Sequence, residues 1–127
     1  MNEGTIRATG YYWRLYCGPD VIEEHMREAI DRVGAKRAFV ICSPSVNTRT
    51  ETVTRIEAAL GDRYVGVFDG IEKDSTYASV VAAKDAAAAA NADLLIAVGG
   101  GSVIVSVRVV AIYLGEAGDP FDIMTQY

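Results

Sequence analysis

Three short, mainly apolar runs, separated by segments with helical periodicity, constrain the fold of this chain more than any other feature. The runs cover residues 37–42, 64–68 and 93–98. The first and third are almost uninterrupted, as in strands that are buried on both faces. Strands joined by helices favour a parallel sheet, and right-handed crossovers between the strands would then put helices on both faces. The sequence therefore predicts an α/β fold, with an open parallel sheet and helices on both faces.

Four helices are predicted around these strands. Pro19 suits a first helical turn and Gly34 a C-terminal stop, and these two residues delimit the first helix. The other helices are predicted at about residues 48–60, after a loop, and at residues 77–90 and 102–114. Ser75 or Thr76 is expected to cap the third helix.

The residues before the first helix follow a different pattern. The stretch from Ile6 to Tyr16 is rich in aromatic and β-branched residues, which are typical of strands. A turn at Thr9-Gly10 would pair its two halves. An N-terminal β-hairpin is therefore predicted in front of the parallel sheet.

Length and charge exclude several classes of function. A chain of 127 residues fits one domain that buries a core. The net charge of −5 comes with intermixed signs and no cluster of Lys and Arg, so neither a nucleic acid nor an anionic membrane is expected as partner. Any bound phosphate must then be held by backbone groups. The N-terminus carries no secretory signal, and a cytoplasmic location is expected.

The stretch from residue 94 to residue 114 approaches the length of a membrane span, and Arg108 is its only charged residue. Three consecutive glycines interrupt it. An arginine deep in a span costs roughly 2.5 to 3.5 kcal/mol on insertion scales. A strand followed by a helix in a soluble domain is the preferred interpretation, with no membrane contact.

The interrupting residues are Gly99, Gly100, Gly101 and Ser102, which lie between the third strand and the last helix. Without Cβ atoms, the backbone here can approach a ligand closely, and the N–H groups that open a helix favour an anion. Ser102 can cap the helix or donate to a phosphate. The turn matches neither a P-loop nor G-x-G-x-x-G. Two interpretations stay open at this point, a tight turn and a phosphate site.

Four motifs resemble one protein family. The run Asp93-Leu-Leu-Ile-Ala-Val-Gly-Gly-Gly-Ser-Val-Ile104 resembles the strand and glycine signature of the iron-containing alcohol dehydrogenases. The other three are similar to the family's first helix entry, a nucleotide-contacting strand end and a further motif, at residues 18–22, 39–44 and 67–71. The resemblance covers nearly all of residues 5–115. It implies a Rossmann-like fold and assigns residues 1–127 as the dinucleotide-binding N-terminal domain.

The resemblance also implies site residues for NAD or NADP. Gly99, Gly100, Gly101 and Ser102 would meet the pyrophosphate, and Asp74 holds a position near the cofactor that is commonly an asparagine. Ser43 lies where the family often has an aspartate that faces the adenosine ribose. Because serine lacks the charge that repels a 2′-phosphate, it would permit NADP as well as NAD. The alternative interpretation of Ser43 is a turn residue before Pro44.

The sequence departs from the family pattern in two ways. Val105 stands where the family usually has an aspartate. Valine cannot accept a hydrogen bond from the cofactor or from a neighbouring lysine. The family's metal ligands, an aspartate and three histidines, lie in a helical C-terminal domain, and the single histidine here, His25, is expected to be a packed or surface residue. Neither a metal site nor a catalytic residue is predicted within these 127 residues, and the isolated chain is expected to be inactive.

The resemblance implies an enzyme in the full-length protein. That enzyme would be an iron-dependent alcohol dehydrogenase or aldehyde reductase, with Fe²⁺ or another divalent metal bound only through the absent C-terminal domain. Its substrate would be a small alcohol or aldehyde, or that of a maleylacetate-reductase-like or dehydroquinate-synthase-like relative. The alternative is a stand-alone nucleotide-binding or assembly module without catalysis. Because the last helix is apolar on nearly all sides, it is expected to contact the absent domain or a second copy of the chain.

Overall fold

A computed structural model describes residues 4–9 and 14–116 of the chain. The elements in chain order are β1 (Ile6–Thr9), β2 (Arg14–Cys17), α1 (Val21–Arg32), β3 (Ala38–Cys42), α2 (Pro44–Arg49), α3 (Thr52–Leu60), a 3₁₀ turn (Gly61–Arg63), β4 (Tyr64–Phe68), α4 (Tyr77–Ala89), β5 (Leu94–Val98) and α5 (Gly101–Gly115).

The main sheet contains β4, β3 and β5 in that spatial order, and both pairs of neighbours are parallel. The chain leaves β3 through α2 and α3 to reach β4, and it returns through α4 to the opposite side of β3. β3 and β5 pair in continuous register from Ala38↔Leu94 to Cys42↔Val98. The two strands therefore end side by side, which places the residues that follow them at the same edge of the sheet.

Alternate residues of the central strand β3 fill two separate cores, and all five are buried. Phe39 and Ile41 pack with α4 and α5, where Ala83 and Ala87 are fully buried. On the other face, β3 packs with α1 and α3, whose buried residues Ile30, Val53, Ile56 and Leu60 belong to the second core. Helices on both faces explain why β3 has no polar position, and the predicted α/β fold is confirmed.

The N-terminal hairpin is also confirmed. β1 and β2 are antiparallel, with Thr9 opposite Arg14 and Ile6 opposite Cys17. The predicted turn at Thr9-Gly10 involves residues 10–13, which lie outside the described part of the chain. The hairpin contacts α1 through Tyr16, whose ring stacks on the His25 ring at 4.4 Å between centroids.

The structure corrects the prediction of one loop followed by one helix after β3. Two helices are present, α2 and α3, and they are separated at Thr50, which is extended with φ −132° and ψ 164°. Pro44 begins α2 because its ring fixes a helical φ and its missing N–H is not needed at the first position. Thr50 ends α2 with its hydroxyl donating to the carbonyl of Val46, and the same oxygen accepts the N–H of Thr52 at 3.3 Å as α3 begins.

One carboxylate links the start of β5 to the start of β3 through hydrogen bonds. Asp93 accepts the backbone N–H of Lys36 at 3.0 Å and that of Arg37 at 2.9 Å. These bonds, from Lys36 first and then Arg37, hold the pKa of Asp93 below its ordinary value of 3.8. Because the folded pKa lies below the unfolded one, the stabilisation is present above pH 3.8 and is lost as the pH falls through the folded pKa.

We expect Asp93→Asn to lower the thermal midpoint of unfolding at pH 7 by a few degrees and to flatten its decline in acid, since the amide stays neutral. Thermal unfolding followed by circular dichroism from about pH 7 to about pH 2 measures both effects. Asp85→Asn, on the exposed surface of α4 where Asp85 pairs with Lys84, is the control. An acid decline in Asp93→Asn as steep as that of the wild type would contradict the assignment.

Candidate functional site

The glycine turn follows β5 at the carboxyl edge of the sheet. Gly99 has φ +146°, and a Cβ there would lie 2.9 Å from Cγ2 of Val103. Gly100 precedes the first residue of α5, and a Cβ on Gly100 or Gly101 would meet no atom within 4 Å. The first of these glycines is therefore required by the fold, while the next two leave the backbone open to a ligand. The first N–H groups of α5 have no partner inside the helix, so this end favours an anion.

Ser102 is fixed from two directions. Its hydroxyl oxygen accepts the backbone N–H of Asp74 at 3.2 Å, and this leaves its own proton to donate. Its carbonyl accepts the hydroxyl of Ser75 at 2.7 Å and that of Ser106 at 2.7 Å. Asp74 and Ser75 reach these positions with φ of 67° and 56°, a left-handed conformation that non-glycine residues rarely adopt. The segment before α4 thus holds the first turn of α5 in place through hydrogen bonds.

A cavity of about 310 Å³ opens between three segments at this edge. The sequence-predicted residues Ser43, Gly100, Gly101 and Ser102 line it together. Ser43 comes from the end of β3, and residues 71–73, which follow β4, form the third side. The predicted residues Gly99 and Asp74 are not among its lining residues. Gly99 shapes the turn through its positive φ, and Asp74 contacts Ser102 through its backbone N–H.

Sequence reasoning does not single out Glu72 and Lys73, which also line the cavity. The Glu72 carboxylate accepts the hydroxyl of Thr76 at 3.2 Å, and the carbonyl of Glu72 accepts the N–H of Ser75 at 3.1 Å. Lys73 is exposed and brings a positive charge to the cavity. The net charge of the chain does not indicate where such a positive charge lies. The only available signal is their position directly before Asp74, which the resemblance places near the cofactor.

The buried end of β3 carries a thiol that is unsuited to nucleophilic chemistry. Burial, and secondly the charge of Asp69, raise the pKa of Cys42 to about 11. Asp69 in turn accepts the side-chain amide of Asn47 at 2.9 Å. The Cys42 thiol therefore stays protonated at neutral pH and acts as an apolar core group.

Metal-ligating side chains do not converge in residues 4–9 and 14–116, where no three of His, Cys, Asp and Glu are placed to hold an ion. His25 is buried on α1, with Nδ1 3.2 Å from the carboxylate of Glu28. Across the same described ranges, no helix is long and apolar enough to cross a membrane.

The outer face of α5 differs from its inner face. Val103, Ser106, Val110 and Tyr113 are buried against α4 and the sheet. Val105, at the position of the family's aspartate, is half exposed and lines a second, apolar cavity of about 290 Å³ with Tyr77 of α4. It does not line the cavity at the glycine turn.

A model of the iron-containing alcohol dehydrogenases matches residues 13–127. The chain belongs to the iron-containing alcohol dehydrogenase family. Maleylacetate reductase 2 from Cupriavidus pinatubonensis is 39% identical over 92 residues, which are 72% of this chain and 25% of that protein. The family membership implied by the glycine signature is thereby confirmed.

Solved structures agree in fold. Maleylacetate reductase from Agrobacterium tumefaciens is 26% identical with a TM-score of 0.67, over 79% of this chain and 27% of that one. Alcohol dehydrogenase from Oenococcus oeni is 25% identical with a TM-score of 0.69, over 82% of this chain and 28% of that one. The chain spans about a quarter of the length of these relatives.

Proposed function

We propose that residues 1–127 form the NAD(P)-binding N-terminal domain of an iron-dependent oxidoreductase that interconverts an alcohol and an aldehyde. The observation that carries the proposal is the open glycine turn at the start of α5, facing Ser43 across one cavity. The carboxyl edge of a parallel sheet is where this class of fold binds dinucleotides. The nicotinamide ring, when bound, supplies or accepts the hydride.

Different residues are assigned to different parts of the cofactor. Gly99 shapes the turn, and Gly100, Gly101 and Ser102 offer backbone N–H groups and one hydroxyl to the pyrophosphate. Ser43 faces the adenosine ribose from the end of β3. A Cβ at Gly100 would occupy space that no protein atom fills, and a phosphate held by helix N–H groups needs that space.

The proposal assigns the metal to the helical C-terminal domain that the family resemblance implies for the full-length protein. Hydride transfer would accordingly require that domain, and the isolated chain would bind cofactor without turnover. A cytoplasmic location belongs to the same proposal. Maleylacetate is a second candidate substrate, which the 39% identity to maleylacetate reductase 2 favours.

The exposed side of α5 is proposed to contact the metal-binding domain or a second copy of the chain. Ile104, Val105 and Leu114 are 44%, 52% and 38% exposed, so the described part of the protein leaves three large apolar side chains of this helix partly uncovered. The same surface would serve the alternative function, a stand-alone nucleotide-binding or assembly module without catalysis. Cofactor binding separates the proposal from a pure assembly module, which does not need it.

Titration of the purified chain with NADH and with NADPH tests the proposal. Binding is expected to enhance nicotinamide fluorescence and to shift the amide NMR signals of Gly100, Gly101 and Ser102. Absence of binding of either cofactor at millimolar concentration would refute the cofactor assignment and favour the assembly module.

A further inference from the structure

We propose that the ammonium group of Lys73 contacts a phosphate group of the bound dinucleotide and so contributes to cofactor affinity. This inference rests on the proposed function, and it adds a charged side chain to a site otherwise built from backbone N–H groups and serine side chains. Lys73 lines the same cavity as Ser43 and Gly100, which the proposed function assigns to the adenosine ribose and the pyrophosphate. A lysine side chain in that cavity can reach the pyrophosphate or, in NADPH, the 2′-phosphate.

The backbone on both sides of Lys73 is anchored. On one side, the carbonyl of Glu72 accepts the N–H of Ser75 at 3.1 Å, and its carboxylate accepts the hydroxyl of Thr76, the residue that caps α4. On the other side, the N–H of Asp74 is bonded to Ser102. Little backbone ordering is then required when a ligand binds, which lowers the entropic cost of the contact.

The charge of Lys73 is not paired within the described part of the protein. Of the three lysines in the chain, Lys84 pairs with Asp85 at 2.9 Å, whereas Lys73 forms no salt bridge within residues 4–9 and 14–116. Lys36 lies at the opposite end of β3, away from the cavity. In a chain of net charge −5, a cation beside the start of a long helix makes this location locally suited to an anion.

Glu72 limits the size of the expected effect. Its carboxylate lines the same cavity and repels a phosphate, although its bond to Thr76 orients one oxygen toward the start of α4. An exposed ammonium that donates to a phosphate forms a charge-assisted hydrogen bond, weakened by solvent and salt. We therefore expect loss of Lys73 to weaken cofactor binding by about fivefold to tenfold, well short of abolishing it.

The test compares dissociation constants of NADH and NADPH for the wild type, Lys73→Gln, Lys73→Arg and the control Lys36→Gln, which removes the same charge at the far end of the sheet. Only Lys73→Gln should weaken binding, and its affinity should depend less on salt between about 20 mM and about 300 mM than that of the wild type. An equal loss for both cofactors places the ammonium at the pyrophosphate, and a loss for NADPH alone places it at the 2′-phosphate.

Three outcomes would overturn the inference. If the wild type binds and Lys73→Gln binds both cofactors with unchanged affinity, or if Lys36→Gln loses as much, Lys73 has no specific contact and the proposed function stands without it. If the wild type binds neither cofactor, the proposed function fails and the inference fails with it. Thermal unfolding of Lys73→Gln should match the wild type, since the side chain is exposed.

Discussion

Gly100→Val is expected to weaken the binding of NADH and NADPH at least about a hundredfold while the fold stays intact. Its backbone, with φ −88° and ψ −162°, lies in the extended region that valine favours, and a Cβ there meets no protein atom within 4 Å. The cost therefore falls on the ligand alone. Valine would place two methyl groups where the pyrophosphate approaches the N–H groups of α5.

Gly99→Val supplies the matched contrast, because the same substitution one residue earlier damages the fold. Gly99 has φ +146°, and its Cβ would lie 2.9 Å from the side chain of Val103. We expect it to destabilise the chain by about 1 to 3 kcal/mol. Thermal unfolding and fluorescence titration of both variants separate the two effects. If Gly100→Val binds NADH with an affinity within threefold of that of the wild type, the glycine turn is not part of the cofactor site.

Much of the fold is predictable from local signals that agree with one another. The apolar run at β3 predicts a strand buried on both faces, and Thr76 caps α4 by accepting the N–H of Ser79 at 3.3 Å. The same expectation is wrong for β5, which forms a strand but is only partly buried, with Ala97 exposed, because it lies at the edge of the described sheet. The helix α2 is not predictable in this way because Thr48 and Thr50 are weak helix formers, so the pattern after Pro44 resembles a loop. Two features favour a helix there. Pro44 begins α2, and the Thr50 hydroxyl donates to the carbonyl of Val46 at the end of α2 and accepts the N–H of Thr52 at the start of α3.

The site is predictable to the extent that sheet topology determines it. Ser43 and Gly100 are distant in sequence, yet they meet because Cys42 and Val98 end neighbouring parallel strands in register. The role of Asp74 is not predictable, because its backbone N–H reaches Ser102 only through a left-handed conformation that the sequence does not signal. The position of Lys73 is not predictable for the same reason, because the hydrogen bonds of its neighbours Glu72 and Asp74 determine which cavity it lines.

Ser43→Asp is expected to weaken NADPH binding by about tenfold to a hundredfold relative to NADH, if Ser43 faces the adenosine ribose as proposed. A carboxylate about 4 Å from a 2′-phosphate is repelled by roughly 4 kcal/mol at the effective dielectric of a protein surface, and solvent and rearrangement reduce that value. The fold should tolerate the change, because Ser43 precedes α2 at its N-cap position with no side-chain capping bond, where aspartate is among the preferred residues.

The neutral variant Ser43→Asn distinguishes charge from shape. Asparagine is also a favoured N-cap residue and nearly the same size as aspartate, so it should leave the ratio of NADH to NADPH affinity close to that of the wild type. The wild-type ratio is itself informative, because a serine without charge predicts that both cofactors bind with similar affinity. A wild type that prefers NADH at least about tenfold would show that another group rejects the 2′-phosphate. A preference unchanged in Ser43→Asp would move the adenosine ribose away from the end of β3.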